Sequence, residues 1–229
     1  MPRIVTRLTG PRARSFTLVA ALAFCHVLQA QLEEVIVTAQ KRAESVQDIG
    51  LTVSAFDERS YRELSNGDLD RLAGQLTNVQ AYAPNSFIQS IHIRGIGLNE
   101  FQGQYDSPVA QHFDEVYVAK PWMIARPQYD MQRVEVLKGP QGTLFGRNTT
   151  GGALNWYTNE PTETFEATAE FQLDNFQRYT AQGAVSGPLT DRLLGRFSFY
   201  TLTGNGGPQD NLFTGEEHGV PNLFDFRGQ

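Results

Sequence analysis

The 229-residue chain carries 19 Lys and Arg against 25 Asp and Glu, a formal net charge of −6, and one cysteine. An acidic chain without a basic stripe of interleaved aromatics does not suit nucleic acid, and one cysteine excludes a disulfide framework or a cysteine metal centre. His26, His92, His112 and His218 are scattered and no Ser/His/Asp set or carboxylate pair stands out, so nothing points to an enzyme, a cofactor or a bound metal.

The N-terminus has the layout of a secretory leader. Arg3, Arg7, Arg12 and Arg14 form a basic region, Phe16 to Leu28 is apolar apart from Thr17 and His26, and Ala30 offers a small residue for cleavage. The run is shorter than the roughly 20 apolar residues of a membrane-spanning helix. Residues 1–30 are therefore assigned as a signal peptide. Cys25 lies inside it, and Phe24 is a poor neighbour for a lipid-anchored cysteine.

Residues 31–44 form a short tail. Within EEVIVTAQKR, Val35, Ile36 and Val37 have high strand propensity, with Glu33 and Glu34 before them and Thr38 and Ala39 after. A β-prone tail with no folded neighbour on its N-terminal side can stay mobile and add a strand to a partner's sheet edge. The plain alternative is an ordinary first strand.

Residues 45–160 read as one α+β domain with a mixed sheet. Strands are expected over Leu51–Asp57, Ile91–Gly95, Val116–Lys120 and Arg133–Lys138, and a helix after Ser65 or Asn66 in which Leu69, Leu72, Ala73 and Leu76 share a face. Alternation places Arg94 opposite Ile91 and Ile93. The stretch VEVLKGPQGTLFGRNTTGGAL, residues 134–154, invites a phosphate-loop reading. It fails, because no glycine there is followed by Lys and then Ser or Thr. Pro140, the threonines and Gly151-Gly152 disfavour a helix after Lys138, so the stretch is expected to be an irregular loop between strands at 134–137 and 153–158.

Residues 161–229 differ in kind. Phe165, Ala167, Ala169, Phe171 and Leu173 alternate with Glu166, Thr168, Glu170 and Gln172. Tyr179, Ala181, Gly183 and Val185 alternate with Thr180, Gln182, Ala184 and Ser186; a tight turn is expected at Ser186–Asp191, and Leu193, Phe197 and Phe199 then oppose Arg192, Arg196 and Ser198. Long alternating strands joined by turns fit a transmembrane β-barrel; a soluble antiparallel sheet is the alternative.

Together these segments resemble the N-terminal part of a TonB-dependent outer-membrane receptor. EEVIVTA (Glu33 to Ala39) resembles the TonB box; IRG (Ile93 to Gly95), SPV (Ser107 to Val109) and above all RVEVLKGPQGTLFGRNTTGGALN (Arg133 to Asn155) resemble the plug; SGPLTD resembles the first periplasmic turn of the barrel. The resemblance implies TonB as partner of Glu33 to Ala39, outer-membrane lipid around the strands, and a small-molecule or metal-chelate ligand, commonly a ferric siderophore, with cobalamin and sugars as other options. It implies that Arg94 and Arg147 pair with glutamates on the inner barrel wall. Loops at 85–89 and 97–106 become candidate ligand contacts, with Asn85, Phe87, Gln89, Asn99, Phe101 and Tyr105 as the residues.

The chain departs from the family pattern in two ways. QHFDEVY (Gln111 to Tyr117) has Glu115 where a hairpin of this kind usually has glycine, so a distorted or longer hairpin is expected. The family's barrel also needs about 22 strands, whereas the residues after Thr164 suffice for about three. Three strands leave open edges that hydrocarbon does not tolerate. As written, the chain is expected to be a fragment or truncated product, not competent for transport alone, with Asn205–Gln229 an extracellular loop cut short. A soluble periplasmic binding module built from a plug is the alternative.

Overall fold

The computed structural model describes residues 36–37, 41, 44–45, 50–65, 69–85, 88–99, 105–120, 123, 128–174, 178–204, 209–210, 212–213, 217–218 and 222–229. The expected leader lies outside them. Among the described residues no helix is long and apolar enough to cross a membrane, which says nothing about strands.

The N-terminal segment does not stand apart as a free tail at the residues described. Strand β1 (Ile36–Val37) pairs antiparallel with β2 (Glu44–Ser45), and Val37 is fully buried. Its β-branched side chain finds an apolar seat on the domain that follows, which outweighs the freedom of a loose tail. Glu33, Glu34, Val35, Thr38 and Ala39 lie outside the described residues.

That domain is built on a five-stranded mixed sheet. Its strands are β3 (Thr52–Asp57), β6 (Val109–Phe113), β7 (Val116–Val118), β8 (Met131–Lys138) and β9 (Gly152–Thr158), ordered β3-β8-β9-β6-β7. β6 and β9 run parallel and the other neighbours antiparallel. Two apolar layers follow from the alternation. Val134, Val136, Leu154 and Trp156 face helix α1 (Glu58–Ser65), helix α2 (Leu69–Gly74) and a separate hairpin, β4 (Val79–Asn85) with β5 (Ile88–Ile93). Leu137 and Ala153 face the other way, toward Val37, Val53 and Phe145.

The expected helix is present as α2, with Leu69, Leu72 and Ala73 buried. Helix α1 was not expected, because its sequence ERSYRELS is polar nearly all round and buries only Tyr61 and Ser65. It is held at its start by Asp57, whose Oδ1 accepts the backbone N–H of Ser60 at 2.8 Å, and on its exposed face by Glu58–Arg62 and Arg59–Glu63 pairs. The hydrogen bonds from Ser60 hold the Asp57 carboxyl below its ordinary 3.8. A depressed carboxylate contributes above its unfolded pKa and loses that contribution as pH falls through the folded value. Asp57→Ala should therefore cost about 1 kcal/mol at neutral pH in a denaturant titration, and close to nothing well below pH 3.8.

Several local expectations change. Arg94 lies beyond β5 in a tight turn with φ 54°, its N–H bonded to Asn78 O, and does not continue the strand's alternation. Asn85 and Gln89 belong to strands β4 and β5, so the tip between them is shorter than the expected 85–89 loop. The Asp114-Glu115 turn is a regular two-residue hairpin with Phe113 opposite Val116. Both turn residues take positive φ without glycine, 45° and 68°. The Asp114 carboxylate fixes that geometry by accepting the N–H and hydroxyl of Thr158 at 2.8 and 2.9 Å. One helical turn, α3 (Gly142–Phe145), sits inside the glycine-rich stretch where no helix was expected, closed by Phe145 N–H to Gln141 O and Gly146 N–H to Gly142 O.

A second sheet follows: β10 (Glu166–Leu173), β11 (Arg178–Thr190), β12 (Leu193–Gly204) and β15 (Leu223–Gly228), all antiparallel in that order. Strands β13 (Gln209–Asp210) and β14 (Glu217–His218) pair in the connection before β15. Strand β11 runs through Ser186–Thr190, which moves the turn to Asp191–Arg192, and β15 makes a fourth strand where a cut-short loop was expected. LFDFRG alternates like its neighbours, and that pattern wins over the Gly- and Pro-rich residues before it.

Candidate functional site

The two faces of the second sheet are chemically opposite. Phe165, Phe171, Leu173, Tyr179, Val185, Phe197, Phe224 and Phe226 are all exposed large apolar or aromatic residues. Those within strands share one outward face through pairs such as Leu173↔Tyr179, Val185↔Phe197 and Phe199↔Phe226. An apolar face of this extent is unfavourable in water and suits lipid. The other face is polar: Gln182 donates to Glu170 at 2.8 Å, and Ser186 and Ser198 are buried.

The polar face is bound to the first domain at one corner. Arg196 of β12 grips Asp130, the residue before β8, with Nε to Oδ2 at 2.9 Å and Nη2 to Oδ1 at 2.5 Å; each side chain is 8% exposed. Tyr129 stacks on Tyr200 with centroids 5.7 Å apart, and the Arg227 guanidinium lies 4.9 Å from the Tyr129 centroid. Gln229 donates to Thr158 Oγ1 at 2.7 Å, and Ser186 Oγ accepts the N–H of Thr162 at 2.8 Å. This corner leaves no signal in the sequence, because a pair 66 residues apart has no local pattern.

Arg94 and Arg147 are placed differently. Arg94 Nη2 reaches Thr52 Oγ1 at 3.3 Å on an exposed surface, and no ion pair of Arg94 is seen among the described residues. Its charge, after desolvation, holds the ammonium of Lys138 below its ordinary pKa. Arg147 is 77% exposed and lies 3.8 Å from Asp106.

The candidate ligand residues fall at two places. Asn85 and Gln89 flank the β4–β5 tip, and Phe87 lies outside the described residues. Asn99 and the half-exposed Tyr105 bracket the second loop, of which Phe101 is outside the described residues. The loop is tied down at both ends. Ser90 Oγ donates to Leu98 O at 2.7 Å, and Asp106 accepts Lys120 Nζ at 2.8 Å and Asn148 Nδ2 at 3.2 Å. Asn148 Nδ2 also donates to Tyr117 OH at 2.7 Å, so Asp106 joins the loop, the β6–β7 hairpin and the glycine-rich stretch.

Asp106 sits below its ordinary 3.8 because Lys120 and then Asn148 hydrogen-bond its charged form. The tie is present above that pH and is lost as pH falls through the depressed value. Asp106→Ala should free the loop end at neutral pH, read as faster amide exchange and earlier proteolytic cleavage between residues 99 and 106. Unchanged protection there would show that the loop is held by other contacts.

Comparisons with known proteins fit this geometry. Residues 45–153 match the family model described as TonB-dependent Receptor Plug Domain. The chain is 31% identical over 188 residues to the pesticin receptor of Yersinia pestis, covering 80% of this chain and 27% of that protein. It is 25% identical to the ferripyoverdine receptor of Pseudomonas aeruginosa, covering 68% of this chain and 19% of that protein. Among solved structures it superposes on the ferric yersiniabactin uptake receptor of Yersinia pestis with TM-score 0.64 at 25% identity, covering 76% of this chain and 27% of that one. The chain thus spans about a quarter of the length of the curated relatives it matches.

Proposed function

Because this chain belongs to the TonB-dependent receptor family, we propose that it is the N-terminal part of an outer-membrane receptor that takes up a ferric siderophore, driven by a periplasmic TonB protein. The observation that carries this reading is the two-faced sheet. Its apolar face is outward, and its polar face is clasped to the plug through Arg196–Asp130. That is how a plug sits inside a barrel wall whose outer surface meets lipid. The same apolar face disfavours a soluble periplasmic module. The related receptors whose names mention pyoverdine or yersiniabactin support an iron chelate as cargo.

In this reading residues 1–30 are a cleaved leader, 31–44 carry the TonB-binding segment Glu33 to Ala39, 45–160 form the plug and 161–229 begin the barrel. The chelate meets Asn85, Phe87, Gln89, Asn99, Phe101 and Tyr105 at the outer side of the plug. Arg94 and Arg147, both exposed, are available to carboxylates on the barrel wall. The protein acts by binding and gating, not by catalysis.

The test is uptake of radiolabelled iron chelates by cells expressing the full-length receptor. A panel of hydroxamate, catecholate and phenolate chelates should include one that is taken up. Deleting residues 33–39 should abolish uptake while leaving cell-surface binding of that chelate intact. No binding or uptake of any iron chelate would overturn the cargo, and uptake that survives the deletion would overturn the TonB segment.

A further inference from the structure

Three polar side chains form one cross-strand row on the sheet face beneath the N-terminal strand. His112 of β6 stands opposite Asn155 of β9, and Asn155 opposite Glu135 of β8. They are 6, 1 and 0% exposed. Neither Nδ1 of His112 nor either amide atom of Asn155 has a partner in hydrogen-bond geometry. Buried polar atoms left in that state are costly and call for an explanation.

The lid over this row comes partly from the N-terminal segment. Phe145 of α3 packs on the His112 ring at 5.3 Å. Lys41 lies 5.1 Å from the Phe145 centroid and pairs with Glu115 at 3.6 Å. Val37 is buried in the same apolar layer as Leu137, Ala153 and Phe145. The groups around His112 are therefore Lys41 from the N-terminal segment, Glu115 from the β6–β7 turn, Tyr117 of β7 at 5.7 Å, the Glu135–Arg133 pair of β8 and the Asn155 amide of β9.

We propose that this row is a proton-sensitive seat: protonation of His112 unseats the N-terminal strand, so the chain segment that includes Ile36 and Val37 is released more readily in acid. An imidazolium formed in place would sit in a water-poor layer with the Lys41 cation nearby. Burial first, and then Lys41, hold the His112 pKa below its ordinary 6.5, while Asn155 and Glu115 pull less strongly the other way. Lifting the strand takes Lys41 away and admits water, which restores the ordinary value. Above about pH 6.5 His112 is neutral in both states and the seat has full strength. Below it the unseated state takes up the proton preferentially, and its share rises up to about tenfold for each pKa unit of depression. That the released segment is the one a TonB protein captures rests on the proposed function; the seat itself does not.

Val37→Cys would be the only thiol of residues 31–229, because the one cysteine of this chain, Cys25, lies in the proposed leader, and any cysteine of the full-length protein beyond residue 229 is replaced by serine for the measurement. In the full-length protein its labelling rate is measured from pH 8 to 5.5 and divided by that of Gly50→Cys, an exposed position with open space around it. The ratio removes the thiol's own pH dependence. It should rise on acidification, by at most about tenfold at pH 5.5, and stay flat when His112→Gln, or the ring-preserving His112→Phe, is added. Amide protection at Val134–Leu137 verifies that each variant keeps its sheet. A ratio near one at every pH, a flat ratio with His112 present, or an equal rise in both His112 variants would each overturn the proposal. The measurement needs neither ligand nor TonB, so its failure and a failure of iron uptake are separate results.

Discussion

Asp130→Asn should weaken the corner that binds the plug to the strand sheet by about 3–5 kcal/mol. The substitution is close to a pure change of charge. Asp130 holds φ 54°, a conformation asparagine also tolerates, and the amide keeps the size of the carboxylate. What is lost is the anion facing Arg196, and both side chains are 8% exposed. Arg196 is then left buried beside the Tyr129–Tyr200 stack without the carboxylate that balanced its charge. The cost comes from stranding a charge more than from losing an attraction. Arg196→Leu alone should strand Asp130 in the same way, although Asn159 Nδ2, 3.0 Å from Oδ1, softens that case. The double variant should recover most of the loss, because no charge remains to be solvated. Amide exchange in the full-length protein reads this at Met131–Val134, where 3 kcal/mol corresponds to roughly a hundredfold faster opening. A change below about 1 kcal/mol in Asp130→Asn, or losses that simply add in the double variant, would show that the corner is held by packing alone.

The parts of this molecule legible in sequence are those whose signal is periodic. Phe165 to Leu173 announces a two-faced strand, and Leu69, Leu72 and Ala73 announce the buried side of α2. The parts that escaped have signals of another kind. Helix α1 has almost no apolar face, and its evidence is a cap at Asp57 and two pairs at i,i+4 spacing, each weak alone. Strand β4 contains Pro84, which argues against a strand unless it lies outside a larger sheet, as the β4–β5 pair does. The Asp114-Glu115 turn depends on Thr158, far along the chain, to hold a geometry that local preference would give to glycine. The candidate site divides in the same way. The N-terminal segment and the glycine-rich stretch can be read as motifs, whereas Arg196–Asp130 and the His112–Asn155–Glu135 row exist only once strands are placed side by side.

Gly152→Ala should be the most damaging single methyl in the glycine-rich stretch, costing on the order of 4 kcal/mol. Gly152 begins β9 opposite Lys138 with φ 149°, a region that L side chains rarely adopt. A Cβ built there lies 2.2 Å from the carbonyl oxygen of Leu137 and 2.9 Å from Cδ1 of Ile93. The first contact is with backbone of the neighbouring strand β8, which cannot move without breaking the β8–β9 ladder. Gly142 supplies the control from the same stretch. Its Cβ would meet nothing nearer than Thr149 Oγ1 at 3.9 Å, and it opens the helical turn α3. Gly142→Ala should therefore be neutral or stabilise by up to about 1 kcal/mol, since alanine loses less conformational freedom on folding. The two variants are compared by urea titration of plug protection in the full-length protein. Gly152→Ala should expose β8 and β9 to protease at denaturant concentrations where Gly142→Ala remains protected. Equal resistance of the two would mean that the β8–β9 junction yields to the extra carbon, and that close backbone approach is not why glycine stands at position 152.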